Sequence, residues 1–165
     1  MKNVNETTSS TKKEVLITHI FNAPRELVFK AWTDPEQLLR WYAPDGCTIE
    51  FKSIDIRPGG TFHSCITSPD MKHCWCIGTY QEVIFPVRLV QTVAVADENG
   101  NPVDPAAIGM HPEWPAETLL TITFEELGSK TKLTLHQTVD EDIAKQMGAH
   151  PSWIKMLNRL DEILK

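Results

Sequence analysis

The chain has 165 residues, 41% of them hydrophobic, which suffices for one domain whose core needs neither disulfides nor a metal. Its net charge of −6 argues against a nucleic-acid or anionic-membrane surface, because those partners require clustered Lys and Arg. The apolar stretches are too short to span a bilayer. We therefore predict no nucleic-acid partner and no membrane partner.

The N-terminal segment is polar. Residues 1–13 are rich in Ser, Thr, Asn and Lys and lack the apolar segment of a secretory signal. This composition predicts a disordered tail over 1–13, followed by one domain over 14–165. We expect a cytoplasmic protein. In that reducing compartment its four cysteines should be free thiols.

The domain begins with a strand and two short helices. Apolar residues alternate from Val15 onward, which predicts a strand. Pro24 suits the first position of a helix, and Trp32 falls on the apolar face of the segment that follows. Asp34, with Gln37 three residues later, predicts the capped start of a second helix.

The middle of the chain is rich in β-branched and aromatic residues, interrupted by turns that contain Gly or Pro. The predicted strands are 48–56, 61–67, 73–84, 89–96, 118–125 and 132–138. Their short connections predict an antiparallel meander. The one long connection, 97–117, carries Met110 and Trp114. Large apolar side chains on such a loop indicate packing against the domain rather than disorder.

The C-terminal segment has the apolar stripe of an amphipathic helix, which includes Trp153. Thr138 and Glu141 predict a capping box at its start. Gly148 and Pro151 interrupt this stripe, and Pro151 predicts a kink or break near His150, because proline has no amide hydrogen to donate. The predicted fold is therefore α+β. A curved seven-stranded antiparallel sheet packs against the long C-terminal helix, the two short helices close one end, and a cavity remains between the layers.

Several motifs together resemble one protein family. The segment FNAPRELVFKAWTDPE, residues 21–36, resembles the opening signature of the family named after the activator of heat-shock-protein-90 ATPase. Further matching segments occur in the family's order, at 54–60, 78–80, 86–89, 121–126 and 130–135. The resemblance covers about 15–164 and implies the helix-grip (START/Bet v-like) fold of the START-like (SRPBCC) superfamily. It also implies a hydrophobic cavity used for ligand binding, for polyketide cyclase-like or resistance chemistry, or for chaperone docking. The segment 109–115 resembles the long loop of one bacterial subgroup.

His and Cys side chains lie on both strands of one predicted hairpin, which raises the hypothesis of a zinc site. In one register Cys65 lies opposite Cys74, and the set could bind a metal. In the other register Ile66 lies opposite Cys74, and Cys74 and Cys76 then face the core beside Phe62. The second register is preferred because the first exposes Phe62. We therefore predict no metal, no cofactor, and buried thiols that react slowly.

Three functional hypotheses remain. The first is binding of an apolar small molecule in a stress or resistance response, in a cavity lined by Trp32, Phe62, Cys74, Cys76, Gln91, Val93, Met110, Trp114, Phe124, Trp153 and Leu157. The second is a cyclase- or hydrolase-type enzyme that uses a cavity His or Tyr, and the candidates for a general acid are His111, His150 and Tyr80. No catalytic residue is assigned, because nucleophile-elbow, metalloprotease and phosphate-loop motifs are missing from the sequence. The third is an interaction domain that docks on a chaperone or, through outward Trp75 and Ile77, forms a homodimer.

Overall fold

The computed structural model describes residues 13–165. The predicted disordered tail therefore lies outside the described residues, except for Lys13. The predicted two-layer arrangement is confirmed. One seven-stranded antiparallel sheet, with strand order β1-β7-β6-β5-β4-β3-β2, curves against the helices. Its strands are β1 (Glu14–Phe21), β2 (Thr48–Ile54), β3 (Thr61–Thr67), β4 (His73–Ile84), β5 (Arg88–Ala96), β6 (Thr118–Leu127) and β7 (Lys130–Asp140).

Four α-helices and one 3-10 helix complete the described chain. They are α1 (Arg25–Thr33), α2 (Pro35–Trp41), the 3-10 helix (Pro105–Ile108), α3 (Glu141–Gln146) and α4 (Ala149–Leu164). The predicted start of α2 is confirmed, since the Asp34 carboxylate accepts a hydrogen bond from the amide of Glu36 over 3.0 Å. Gln37 reaches back to the same carboxylate over 3.4 Å.

The predicted capping box at Thr138 is wrong. Strand β7 continues to Asp140, and this aspartate caps α3 by accepting from the amides of Asp142 and Ile143 over 2.9 and 3.1 Å. The Thr138 hydroxyl instead accepts from the amide of Leu119 on β6 over 2.7 Å. Sheet pairing therefore moves the cap two residues along the chain.

The C-terminal helical segment breaks at Gly148, one of its two predicted interruptions, and continues through Pro151. Gly148 adopts a left-handed conformation, with φ of 79°, and separates α3 from α4. Glycine reaches this conformation without the penalty that a Cβ imposes. Pro151 lies in the first turn of α4, where an amide hydrogen is not needed for the helix. The proline therefore belongs to the start of α4 and does not interrupt it.

The core lies between the concave face of the sheet and the helices. Its largest fully buried side chains include Trp32, Trp41, Phe21 and Phe124. Phe124 on β6 packs edge-on against Phe29 of α1, with ring centroids 5.0 Å apart. These contacts fill one end of the space between the layers, so that any cavity must lie toward the other end.

The preferred register of the β3–β4 hairpin is confirmed. Ile66 pairs with Cys74, and Ser64 pairs with Cys76. At the turn Met71 has a φ of 66°, a conformation that favours glycine. Further along β4, Gly78 lies against Thr92 and Phe62 so closely that a Cβ would be 1.9 Å from the Thr92 carbonyl oxygen. Only glycine fits this approach.

Candidate functional site

A cavity of about 360 Å³ lies between the sheet and α4. Strands β2–β7, the segment after α2, the long β5–β6 connection and the first turns of α4 all contribute to it. Its lining residues are Tyr42, Pro44, Ile49, Phe62, Ser64, Ile66, Cys74, Cys76, Val93, Ala94, Val95, Met110, Trp114, Thr118, Gln137, Met147, Gly148, Ala149, Ser152, Trp153 and Met156. Among the described residues, none that lines the cavity carries a formal charge.

The predicted site residues divide into two groups. The cavity is lined by Phe62, Cys74, Cys76, Val93, Met110, Trp114 and Trp153. The other predicted residues are buried outside the lining, and they are Trp32, Gln91, Phe124 and Leu157. Trp32 lies one layer behind the cavity wall, because its ring stacks on Trp153 with centroids 6.2 Å apart. Phe124 belongs to the closed end of the core, next to Phe29.

An aromatic pair forms the wall on the helix side. The Trp153 ring of α4 lies 5.9 Å from the Tyr42 ring, centroid to centroid. Tyr42 is the C-cap residue of α2, so the end of that helix delivers its side chain to the cavity. Burial raises the pKa of Tyr42, which keeps its hydroxyl protonated and able to donate a hydrogen bond.

A short chain of hydrogen bonds joins polar side chains in the cavity wall. The Trp153 indole donates to Gln137 Oε1 over 3.1 Å, and Gln137 Nε2 donates to the Thr118 hydroxyl over 3.1 Å. The Thr118 hydroxyl in turn donates to the Val93 carbonyl over 3.4 Å. These bonds link α4, β7, β6 and β5. They hold the wall in one arrangement without introducing a charge.

The long β5–β6 connection places Met110 and Trp114 over the cavity. Asp104 caps its 3-10 helix by accepting from the amide of Ala106 over 3.1 Å. Gly109 then takes a φ of 87°, and the amide of Met110 donates to Pro105 over 3.0 Å. These local bonds give the connection a defined shape that directs two apolar side chains at the cavity.

The two cavity thiols differ in exposure. Cys76 is half-buried, but Cys74 is exposed, so the prediction of a buried thiol is wrong at Cys74. A hydrogen bond from Cys76 lowers the pKa of Cys74 to about 7, and the same bond together with burial raises the pKa of Cys76. Cys65 lies on the other face of the hairpin, with its Sγ 3.7 Å from His73 Nδ1. Within residues 13–165, no three His, Cys, Asp or Glu side chains are grouped closely enough to hold a metal ion.

The two histidines considered as general acids in the enzyme hypothesis, His111 and His150, lie outside the lining of this cavity. No histidine of the described chain lines this cavity. His111 accepts a hydrogen bond from the amide of Glu113 over 3.0 Å, and His150 lies 4.0 Å from Glu141. Tyr80 is buried outside the cavity lining. Outward-facing Trp75 is half-buried, with its ring 5.0 Å from His63.

Sequence reasoning missed several lining residues, most notably Tyr42, Thr118 and Gln137. Gln137 could have been found, because it follows Leu133 and Leu135 at the same period of two along β7. An amide at an inward position of such a strand marks a polar contact within the core. Tyr42 carried no comparable signal in the sequence, since it lies at the end of a helix, outside any periodic pattern of apolar residues.

The comparisons with known proteins agree with this fold. Residues 22–165 match the family described as "Activator of Hsp90 ATPase homolog 1-like protein". The chain is 26% identical to a protein of known structure from Staphylococcus epidermidis, with a TM-score of 0.75, covering 93% of this chain and 90% of that one. It is 25% identical to a protein from Arthrobacter aurescens, with a TM-score of 0.76, covering 90% of this chain and 84% of that one. No curated protein matches the sequence.

No helix within residues 13–165 has both the length and the apolar character needed to cross a bilayer.

Proposed function

Because the chain belongs to the family of Activator of Hsp90 ATPase homolog 1-like proteins, we propose that it binds an apolar small molecule between its sheet and α4. The observation that carries this proposal is the uncharged cavity of about 360 Å³. Ligand sites in proteins are concave, mostly apolar, and furnished with a few polar groups that fix orientation. The cavity has each of these properties.

The shape and chemistry of the wall narrow the class of ligand. The volume suits a molecule of one or two rings, or a short acyl chain. The Trp153 and Tyr42 rings offer a flat aromatic contact on one side. The Tyr42 hydroxyl can donate to one carbonyl or hydroxyl oxygen of the ligand. An anionic ligand is disfavoured, because the described lining holds no cation to pair with it.

The β5–β6 connection acts in this proposal as a cover over the bound ligand. Trp114 and Met110 are both partly exposed in the structure, although both are large and apolar. A ligand in the cavity would bury the side chains further and add contact area. Trp114 should therefore supply a larger share of the binding free energy than of the folding free energy.

Titration with the neutral fluorescent probe N-phenyl-naphthylamine tests the proposal. We expect saturable binding with one site per chain. Ser152→Phe should reduce binding strongly, because Ser152 lines the cavity and a phenyl ring there would occupy ligand space. Trp114→Ala should weaken binding by about 1–3 kcal/mol, as expected for a buried aromatic anchor.

Ile108→Ala provides the matched control. Ile108 lies on the same connection and is half exposed, but it does not line the cavity. Its truncation should leave probe affinity within about twofold of wild type. Non-saturable fluorescence in the wild type would overturn the proposal. Equal losses from Trp114→Ala and Ile108→Ala would show that the probe binds elsewhere on the connection.

A further inference from the structure

The cavity contains a pair of thiols whose chemistry an apolar binding site does not require. Cys74 and Cys76 are two residues apart on β4, so their side chains project from the same face of the sheet and both line the cavity. They lie opposite Ile66 and Ser64 of β3. Cys74 is exposed near the hairpin end of the strand, and Cys76 is half-buried farther along it.

The pKa values of the two thiols are shifted in opposite directions. The hydrogen bond from Cys76 lowers the pKa of Cys74 to about 7, so near neutral pH a substantial fraction of Cys74 is thiolate. The same bond and burial raise the pKa of Cys76, which therefore stays protonated and able to donate. Among the described lining residues, the only other titratable group is Tyr42, whose pKa burial raises. Cys74 is thus the one strong nucleophile directed at the cavity.

We infer that Cys74 captures electrophilic apolar ligands, of the class of α,β-unsaturated carbonyl compounds, by covalent addition inside the cavity. The inference rests on the proposed binding function, because the cavity must first hold the ligand beside the sulfur. In the reaction the Cys74 sulfur forms a bond to the β-carbon and the carbon–carbon π bond breaks. Its electron pair moves to the α-carbon and carbonyl oxygen. A proton from water then reaches the α-carbon, so the addition needs no oxidant, reductant or leaving group.

The surroundings of the sulfur favour this class of ligand. Ile66 pairs with Cys74, and the described lining contains no Asp, Glu, Lys, Arg or His, which disfavours the charged thiols and electrophiles of the cell. Cys47 and Cys65 do not line the cavity and therefore serve as internal comparisons in the same protein. Because Cys74 is also more exposed than these two half-buried thiols, saturation of the rate is needed beside the labelling site to show capture of a bound ligand.

The test uses benzylideneacetone, an apolar enone, and benzylacetone, which has the same skeleton without the reactive double bond. The expected result is one benzylideneacetone adduct per chain by intact-protein mass spectrometry, located on Cys74 by peptide mapping. The rate should saturate with benzylideneacetone concentration, and benzylacetone should slow it. Relative to glutathione, the protein should prefer benzylideneacetone over the small polar electrophile acrylamide by at least about tenfold. Cys65→Ser should leave the rate unchanged.

Variants at position 76 test its role as a hydrogen-bond donor to Cys74. Cys76→Ala should move the midpoint of the rate-against-pH curve from about 7 toward the ordinary cysteine value of about 8.5. At neutral pH the rate should fall by about threefold, because the loss of thiolate exceeds the gain in intrinsic nucleophilicity. Cys76→Ser keeps a donor and should hold the midpoint near that of the wild type. An unchanged midpoint in Cys76→Ala would remove Cys76 from the inference.

The outcomes separate this inference from the proposed function. Saturable binding of benzylacetone by calorimetry, with no enone adduct or with the adduct on Cys47 or Cys65, would overturn covalent capture and leave cavity binding intact. A Cys74 adduct that forms at a rate linear in benzylideneacetone, with no protection by benzylacetone, would also overturn it, since the thiol would then be reactive only because it is exposed. Absence of benzylacetone binding would count against the cavity function itself.

Discussion

Trp153 of α4 donates a hydrogen bond from its indole nitrogen to Gln137 of β7 over 3.1 Å. Gln137 is 6% exposed, and its amide nitrogen donates in turn to Thr118. The helix and the sheet are therefore joined by a buried polar contact at the wall of the cavity. A purely apolar interface would leave the rotation of the Trp153 ring less defined.

Replacing this amide by an apolar group of similar size should destabilise the domain. Gln137→Leu leaves the Trp153 indole without an acceptor and the Thr118 hydroxyl without a donor, and a buried unpaired polar group costs about 1–3 kcal/mol. Urea denaturation measures the loss. Gln81→Leu is the control, because Gln81 is exposed on β4 and should change stability by less than about 0.5 kcal/mol. Equal stability of the two variants would mean that the contact contributes nothing to folding.

Truncation at the closed end of the core should separate stability from binding. Phe124→Ala removes a ring that is 2% exposed and packed against Phe29. It should cost about 3–5 kcal/mol in the free energy of unfolding. Because Phe124 does not line the cavity, the affinity of the folded variant for N-phenyl-naphthylamine should stay near wild type. A large affinity loss with little change in the urea midpoint would contradict this placement.

The close backbone approach at Gly78 predicts a severe effect of one added methyl group. A Cβ at this position would meet the Thr92 carbonyl oxygen at 1.9 Å and the Phe62 ring at 2.3 Å, so Gly78→Ala must displace β5 or the core. We expect a loss of about 3 kcal/mol or more, or failure to fold. Gly128→Ala is the comparison. No atom lies within 4 Å of its added Cβ, and its φ of 61° should cost about 1–2 kcal/mol. Similar thermal midpoints for the two variants would refute the steric explanation.

The sequence was sufficient for the sheet, because period-two alternation specifies which face of each strand is buried. The same rule decided the hairpin register, since only one register buries Phe62. Local hydrogen bonding was less predictable. Thr138 and Asp140 both have side chains that can cap a helix, and the competing pairing of β7 with β6 decides between them.

The site was only partly predictable. Whether a residue lines the cavity depends on the face from which its side chain projects and also on how far the opposing layer covers that side chain. Phe124 and Phe62 both point inward, yet packing from α1 fills the space in front of Phe124 and leaves it open in front of Phe62. Cys74 shares an inward face with Cys76, but it lies near the hairpin end, where the cover is incomplete. The period-two pattern of a strand tells on which face of the sheet a side chain lies. It carries no information on how far the opposing layer of helices extends over that face.

The last prediction concerns Arg159, which connects α4 to the residues around Tyr42. Its guanidinium donates to the carbonyls of Trp41 and Ala43 over 3.2 and 2.7 Å, and it also pairs with Asp45. The two carbonyls flank Tyr42, so Arg159 fixes the backbone that carries this cavity side chain.

Arg159→Lys should therefore impair both folding and binding, although it keeps the charge. An ammonium group cannot reproduce the planar fork that reaches two carbonyls and a carboxylate together. We expect a loss of about 1–3 kcal/mol in stability and weaker binding of N-phenyl-naphthylamine, as Tyr42 becomes less well positioned. Asp45→Asn removes only the exposed partner charge and should cost less than about 1 kcal/mol. If Asp45→Asn proves as damaging as Arg159→Lys in urea denaturation, the ion pair and not the carbonyl contacts secures this corner of the cavity.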